Sequence, residues 1–567
     1  MTQNLQPASA NFVVSPKGPE AMAERPVSIG RIVSVSGAQA IAVLDRSVNR
    51  TAQKRDPRIQ IGALVKIATP TTSVLGIVSA VSSPTPSLDN EAHEIGLVEL
   101  NLAGELVLDP TTRRLVFRRG VAHLPSLGDP VMFADRDDLT RVYARPAGAS
   151  IKVGSLYQDS AVPARLLMDE LLSKHFIVVG TTGCGKSTAL TCILRRVLEE
   201  HHYAHMVVLD VHNEYPEAFG ELAENIEPEN LDLPIWLLNF QELTEALTSS
   251  DASREAEIDI LSDGVLYAKR RFSDASSARA STLARRNGDI SGITVDTPTP
   301  YRLSDVVAFI DDQLGKLDRA RSTAPYRRLK MRIETLVSDQ RFGFMFGSLT
   351  VQDTMTETLG RLFRVPHDGK PVTVINLSSV PSEILDVVIS VIARLAFDLA
   401  VWSKGGLPML LVCEEAHRYA PASEAEKFAP TRQALSRIAK EGRKYGLSLA
   451  LVTQRPSELD PTVLSQCSTA IAMRLSTEKD QAVMRANTHD GALDLLDFLP
   501  LLGDREAIAF GQGVAMPMRI RFDDMAPDTR PTTHSLGFSE SWKAPNMTVE
   551  ELGAIVARWR FSGRERG

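Results

Sequence analysis

The sequence predicts an α/β protein: a parallel-sheet core around a phosphate-binding loop, preceded by a small β-barrel and interrupted by a helical insertion. Three observations predict it. A glycine-rich turn at residues 180–187 sits between an apolar run and a helical pattern. Strand-like apolar runs that end in polar residues recur at Met206, Val372, Met409 and Leu449. Ahead of residue 154 the texture is different, with short alternating runs separated by turn clusters, as in small all-β units.

Composition agrees with a folded chain. Of 567 residues, 43% are hydrophobic and 23% charged, the balance of a globular protein. Lys and Arg number 63 against 70 Asp and Glu, for a net charge of −7. That excludes a uniformly basic coat, so any nucleic-acid contact must come from local basic loops. The cysteines Cys184, Cys192, Cys413 and Cys467 form no C-x-x-C pair, which argues against a disulfide framework or a cysteine zinc site. Ile384 to Trp402 is the most membrane-like stretch, but it carries Asp386, Ser390, Arg394 and Asp398 at four-residue spacing. That is one polar stripe on a buried helix. With no charged and then apolar leader at its start, the chain is expected to be soluble and cytoplasmic, without a membrane association.

In chain order, residues 1–26 lack periodicity and read as a mobile arm. Residues 27–154 read as the β-barrel, from runs such as Ile29 to Val35, Ala63 to Ile67, Val74 to Val78 and Ile95 to Leu100. The α/β core spans 155–222 and resumes over 370–525. Between them, 223–369 reads as a helical insertion with helices over Ile258 to Phe272, Ser304 to Leu317 and Tyr326 to Val337, and a mobile loop over Ser273 to Asp289. Residues 526–567 form a carboxyl-terminal extension with a helix. Thr548 and Glu551 make a capping-box pair there, and Val549, Leu552, Val556 and Trp559 one apolar stripe.

The strongest motif runs from Gly180 through Thr181, Thr182, Gly183, Cys184, Gly185 and Lys186 to Ser187, with Thr188 following. It fits G-x-x-x-x-G-K-[ST] between Phe176-Ile-Val-Val and a helical pattern of Leu190, Ile193, Leu194 and Val197. Such a loop wraps backbone N–H groups round phosphates at a helix amino terminus. Lys186 would reach the β- and γ-phosphates of ATP, and the Ser187 hydroxyl would ligate Mg²⁺. Hydrolysis needs acids as well. Met409-Leu-Leu-Val-Cys ends in Glu414 and Glu415, which alternation sends in different directions; Glu414 is assigned to the metal and Glu415 to the water. Asp210 and Glu214 follow a second strand and lie beside the loop if the carboxyl ends of parallel strands converge; the same run also reads as a strand end with a helix cap. Gln454 ends a third strand and suits γ-phosphate sensing, or is an ordinary polar strand end. Arg443, in a basic turn before that strand, is placed to reach a neighbouring subunit's γ-phosphate, or is simply solvated.

Together, Lys174 to Ser187, Leu209-Asp-Val-His-Asn-Glu-Tyr, Glu414-Glu-Ala-His, Gly442-Arg-Lys-Tyr-Gly and Thr453-Gln-Arg-Pro resemble the HerA family of hexameric ATPases, within the HerA/FtsK group of DNA-pumping motors. The resemblance covers most of the chain and departs at Cys184, where a serine is commoner. It implies a RecA-like ATPase core, a family-type amino-terminal barrel, a homohexameric ring around double-stranded DNA, ATP between subunits, and Arg443 as the finger acting in trans. Two functions fit. One is a DNA translocase or helicase-like motor driving a partner nuclease in end processing or antiviral defence. The other is a scaffold or sensor ring that regulates an antiviral effector, such as a nuclease or a sirtuin-like NAD-consuming enzyme. Two basic clusters are candidates for DNA, or else solvated faces: Arg279, Arg285 and Arg286, and Arg327, Arg328, Lys330 and Arg332.

Overall fold

The computed structural model describes residues 28–45, 59–83, 96–144, 146, 148–248, 253–279, 292–316, 323–347, 351–422, 429–488, 493–532, 539, 542–543 and 547–561. The arm expected over 1–26 lies outside the described residues, as do Arg285 and Arg286. The chain divides into two units, Met1–Asp137 and Asp138–Gly567.

The first unit carries β1 (Ser28–Ser36), β2 (Gln39–Leu44), β3 (Leu64–Ala68), β4 (Ser73–Ser82), β5 (Leu97–Leu108), β6 (Leu115–Arg119) and β7 (Pro130–Phe133). They pair in the order β2-β1-β7-β3-β4-β5-β6, and β2 also pairs with β5. That extra pairing closes an antiparallel barrel and leaves β6 as a hairpin strand on its side. Alternation along the strands turns one face inward, so Ile29, Ile32, Ala40, Ala42, Val65, Ile67, Val74, Val98 and Leu100 fill the interior.

The second unit is built on one 11-stranded sheet. Its strands are β8 (Ser150–Leu156), β9 (Pro163–Leu167), β10 (His175–Val179), β11 (Met206–Asp210), β12 (Ala223–Ile226), β13 (Val372–Asn376), β14 (Met409–Cys413), β15 (Leu447–Thr453), β16 (Cys467–Ala472), β17 (Glu506–Gly511) and β18 (Met518–Phe522). The order β12-β13-β11-β14-β15-β10-β16 is parallel throughout, and β17, β18, β8 and β9 continue it antiparallel. Every residue of β10, β11, β13, β14 and β15 is buried, as strands covered on both faces require.

Two sequence boundaries shift. The barrel was expected to reach 154, but β8 pairs with β18 and β9 in the large sheet, so residues from Asp138 onward belong to the second unit. The insertion was expected to begin at 223, but β12 pairs with β13 as an edge strand of that sheet. A four-residue strand is too short to announce itself by alternation.

The helices used below are α1 (Lys186–Glu200), α2 (Phe240–Leu247), α3 (Arg254–Arg279), α4 (Leu303–Lys316), α5 (Ala324–Ser338), α6 (Ser382–Trp402), α7 (Ala429–Glu441) and α8 (Val549–Phe561). The insertion packs α3, α4 and α5 together. At Gly264 of α3 a Cβ would lie 3.0 Å from Val306 Cγ1 of α4, so the bare glycine permits their close approach. The loop expected from Ser273 begins later, since α3 runs on through Arg279. The polar stripe of α6 is spent internally. Ser390 Oγ donates to Glu242 Oε1 at 2.9 Å, Arg394 Nε donates to the same carboxylate at 3.0 Å, and Thr431 Oγ1 bonds the carbonyl of Asp386 at 2.7 Å. Among the described residues no helix is long and apolar enough to cross a membrane. The capping box of α8 forms, with Glu551 N–H donating to Thr548 Oγ1 at 3.2 Å and Thr548 N–H to Glu551 Oε2 at 2.7 Å. Its stripe is not buried as a stripe usually is, for Val549 and Leu552 are exposed.

Candidate active site

The carboxyl edge of the parallel strands gathers the site. β10 runs into the 180–185 turn, and α1 starts at Lys186. Gly183 and Gly185 have φ of 79° and 101°, a region that side chains resist, so the amides fold inward as an anion nest. The loop is pinned at its entry: Gly180 N–H donates to Thr453 O at 3.3 Å, and Thr181 N–H to Arg474 O at 2.8 Å. Lys186 Nζ folds back onto Thr181 O at 3.3 Å. Ser187 and Thr188 occupy the next two positions of α1. Cys184 points under the loop, where burial pushes its thiol pKa up; that keeps it a neutral packing group.

Glu414 is 3% exposed, and its Oε2 accepts from Val211 N–H at 3.3 Å. Burial, followed by the nearby Asp210 and Glu214 charges, pushes its pKa well above the carboxylate range. Asp210 is fully buried and accepts from the N–H groups of His212 and Glu214 at 3.2 Å and of Tyr215 at 3.0 Å. Both its oxygens are therefore occupied as a turn cap. Asp210 thereby shapes the turn and places its negative charge beside Glu414. Glu415 adopts φ 47° and is 6% exposed. Its buried Oε2 has no hydrogen-bond partner, although it lies 3.2 Å from His417 Nδ1. That nitrogen instead meets Thr453 Oγ1 at 2.9 Å. Burial holds the His417 pKa down, with Glu415 opposing. Gln454 Oε1 accepts from Thr182 Oγ1, so the third strand end does reach the phosphate loop.

Sequence reasoning named no role for Tyr215, His417, Thr453 or Arg474. Tyr215 is fully buried against the acids, and burial and then Glu414 push its phenol pKa well above normal. Three of these residues stood inside the quoted runs, but only their side-chain contacts, which spacing does not encode, single them out.

Arg443 lies in the Gly442–Tyr445 turn ahead of β15, exposed, at the opposite edge of the sheet from the phosphate loop. The basic residues of α5 are mostly engaged within the insertion. Lys330 Nζ bonds Asp311 Oδ1 at 2.6 Å, Arg332 Nε bonds the Ala246 carbonyl at 3.3 Å, and Arg328 Nε lies 3.6 Å from Glu257. Arg327 is exposed. Of the other cluster, Arg279 ends α3.

The acid edge fits a divalent cation. Glu414, Asp210 and Glu214 crowd together, and among the described residues none of them forms an ion pair with Lys or Arg. Also among the described residues, no group of three or more His, Cys, Asp or Glu is placed to hold a metal alone. Mg²⁺ does not require one, since it takes one or two protein ligands and completes its shell with water and substrate phosphates. Glu414 and the Ser187 hydroxyl would supply that number.

The family model described as the central domain of helicase HerA matches residues 151–396. A probable helicase of Methanocaldococcus jannaschii, MJ1565, is 26% identical over 440 residues, 76% of each chain. The DNA double-strand break repair helicase HerA of Sulfurisphaera tokodaii is 24% identical over 518 residues, 89% of this chain and 96% of its own length. Among solved structures, VirB4 of Thermoanaerobacter pseudethanolicus gives a TM-score of 0.45 at 16% identity, over 67% of this chain and 98% of that one.

Proposed function

We propose that this chain, which belongs to the HerA family, is a Mg²⁺-dependent ATPase that works as a homohexameric DNA translocase with a partner nuclease. The observation that carries the reading is the convergence of Lys186, Ser187, Glu414, Glu415 and Gln454 at the carboxyl edge of one parallel sheet. That is the equipment of phosphoryl transfer to water.

The amides of Gly183 to Ser187 cradle the phosphates and Lys186 neutralises the β/γ oxygens. Ser187 and Glu414 would hold Mg²⁺, which when bound would supply Lewis-acid charge neutralisation to the phosphates. Glu415 orients and deprotonates the attacking water with the oxygen that nothing else occupies. Gln454, already against Thr182, reads the γ-phosphate. Arg443, before the amino end of β15 and so at the far end of that strand from the phosphate loop, completes a neighbour's site in a closed ring of head-to-tail contacts. The relative's double-strand break repair supports duplex DNA as the track; a nuclease is the partner this reading adds.

The test is ATP turnover with Mg²⁺, with and without linear duplex DNA, for the wild type and Lys186→Ala. Turnover that needs Mg²⁺, rises with DNA and vanishes in the variant is the expected result. Turnover indifferent to DNA, alone and with a nuclease partner, would move the assignment to a regulatory ring.

A further inference from the structure

The geometry points to His417 as a positioning residue for Glu415, with the Thr453 hydroxyl deciding which partner its Nδ1 serves. This deepens the ATPase reading and rests on it. Thr453 Oγ1 accepts from Arg455 N–H at 3.0 Å, so its single proton is free to point at His417 Nδ1, 2.9 Å away. A nitrogen that accepts that proton cannot donate to Glu415 Oε2, although the carboxylate oxygen lies only 3.2 Å from it. Glu415 Oε2 thus stays buried and unbonded, an arrangement that costs free energy unless a proton donor arrives. A substrate water is such a donor. If Nδ1 carried the proton instead, a small turn of the imidazole would bond it to Glu415 Oε2, 3.2 Å away, and take up the oxygen the water needs.

The surrounding structure holds this arrangement in place. Glu415 sits at φ 47°, a backbone state that persists only where neighbours over-determine it. Arg418 N–H donates to Glu415 O at 2.8 Å and Tyr419 Oη to Glu414 O at 2.9 Å, which supply that restraint. Thr453, and Gln454 just past the end of β15, also touch the phosphate loop, for Thr453 O accepts from Gly180 N–H at 3.3 Å and Gln454 meets Thr182. A change in the loop on taking up a triphosphate therefore reaches Glu415 through Thr453 and His417.

The experiment is steady-state ATPase kinetics on the full-length protein carrying Thr453→Val, Thr453→Ser, His417→Ala, or Thr453→Val with His417→Ala. Thr453→Val removes only the hydroxyl, so kcat should fall by about ten- to a hundredfold while KM for ATP stays within about twofold. Thr453→Ser should restore kcat, and adding Thr453→Val to His417→Ala should lower it no further. Wild-type kcat in Thr453→Val, failure of serine to restore it, or multiplying losses in the double variant would overturn the proposal. A wild-type protein without ATPase activity would instead overturn the function on which it rests.

Discussion

Arg394→Met should loosen the junction between the core and the insertion. Glu242 is 1% exposed, and its carboxylate accepts from Arg394 Nε at 3.0 Å, Arg394 Nη2 at 2.9 Å, Ser390 Oγ at 2.9 Å and the Asn239 N–H at 2.9 Å. The arginine alone carries the compensating positive charge, and its Nη2 also donates to Leu237 O at 2.6 Å. Methionine fills most of the volume but leaves a buried carboxylate with two neutral donors. Breaking a buried pair in this way costs about 3–5 kcal/mol. The arginine side chain is 19% exposed, so water reaches the pair and about 3 kcal/mol is the better figure. At about 1.4 kcal/mol per factor of ten, amide exchange in α2 should quicken by about a hundredfold if it proceeds through local opening. Hydrogen exchange read by mass spectrometry over 239–248 measures it. Glu242→Gln added to Arg394→Met removes the stranded charge and should return most of the protection. Wild-type exchange in Arg394→Met, or a double variant no better protected than the single, would refute the account.

Four further outcomes concern the site and the basic clusters. Glu415→Gln should retain ATP binding while turnover falls by about two to four powers of ten, the usual worth of a positioned base; nucleotide binding and single-turnover assays separate the two. Arg443→Ala and Lys186→Ala, each inactive alone, should regain part of the activity when mixed, because some hybrid interfaces combine an intact phosphate loop with an intact arginine; no recovery at any ratio would count against action in trans. Replacing Arg279, Arg285 and Arg286 by alanine should lower DNA stimulation of turnover and flatten its salt dependence, leaving turnover without DNA near normal. The same replacement of Lys330 and Arg332 should destabilise the insertion first, given their bonds to Asp311 and Ala246.

What the sequence could carry was local and repetitive. The phosphate loop was legible because a covalent run of glycines, lysine and serine is the site, and β10 and α1 bracket it in the chain. The barrel was legible because strands half exposed to water must alternate. Residues 138–154 and β12 were misplaced because membership of a sheet is decided by partners far along the chain, here β18 and β13. Asp210 shows the same limit at the site. An aspartate at a strand end reads as catalytic or as a cap from spacing alone, and only the structure shows the three backbone N–H groups that its carboxylate accepts. His417 and Thr453 are the converse case, 36 residues apart in the chain and in contact at the site.

One strand joins the two ends of the proposed ring mechanism. β15 spans 7 residues, Leu447–Thr453, about 20 Å at the usual rise. Arg443 precedes its amino end, and Thr453 and Gln454 stand at its carboxyl end beside the phosphate loop. A side chain cannot cover that distance, so Arg443 and Gln454 cannot serve the same nucleotide within one subunit. In a closed ring each copy of β15 would touch two nucleotides, its neighbour's through Arg443 and its own through Gln454. The strand is buried along its whole length and hydrogen-bonded to β14 and β10 on its two sides, which makes it stiff. In the ring proposed above, a stiff element with a nucleotide contact at each end would couple the state of one site to the next.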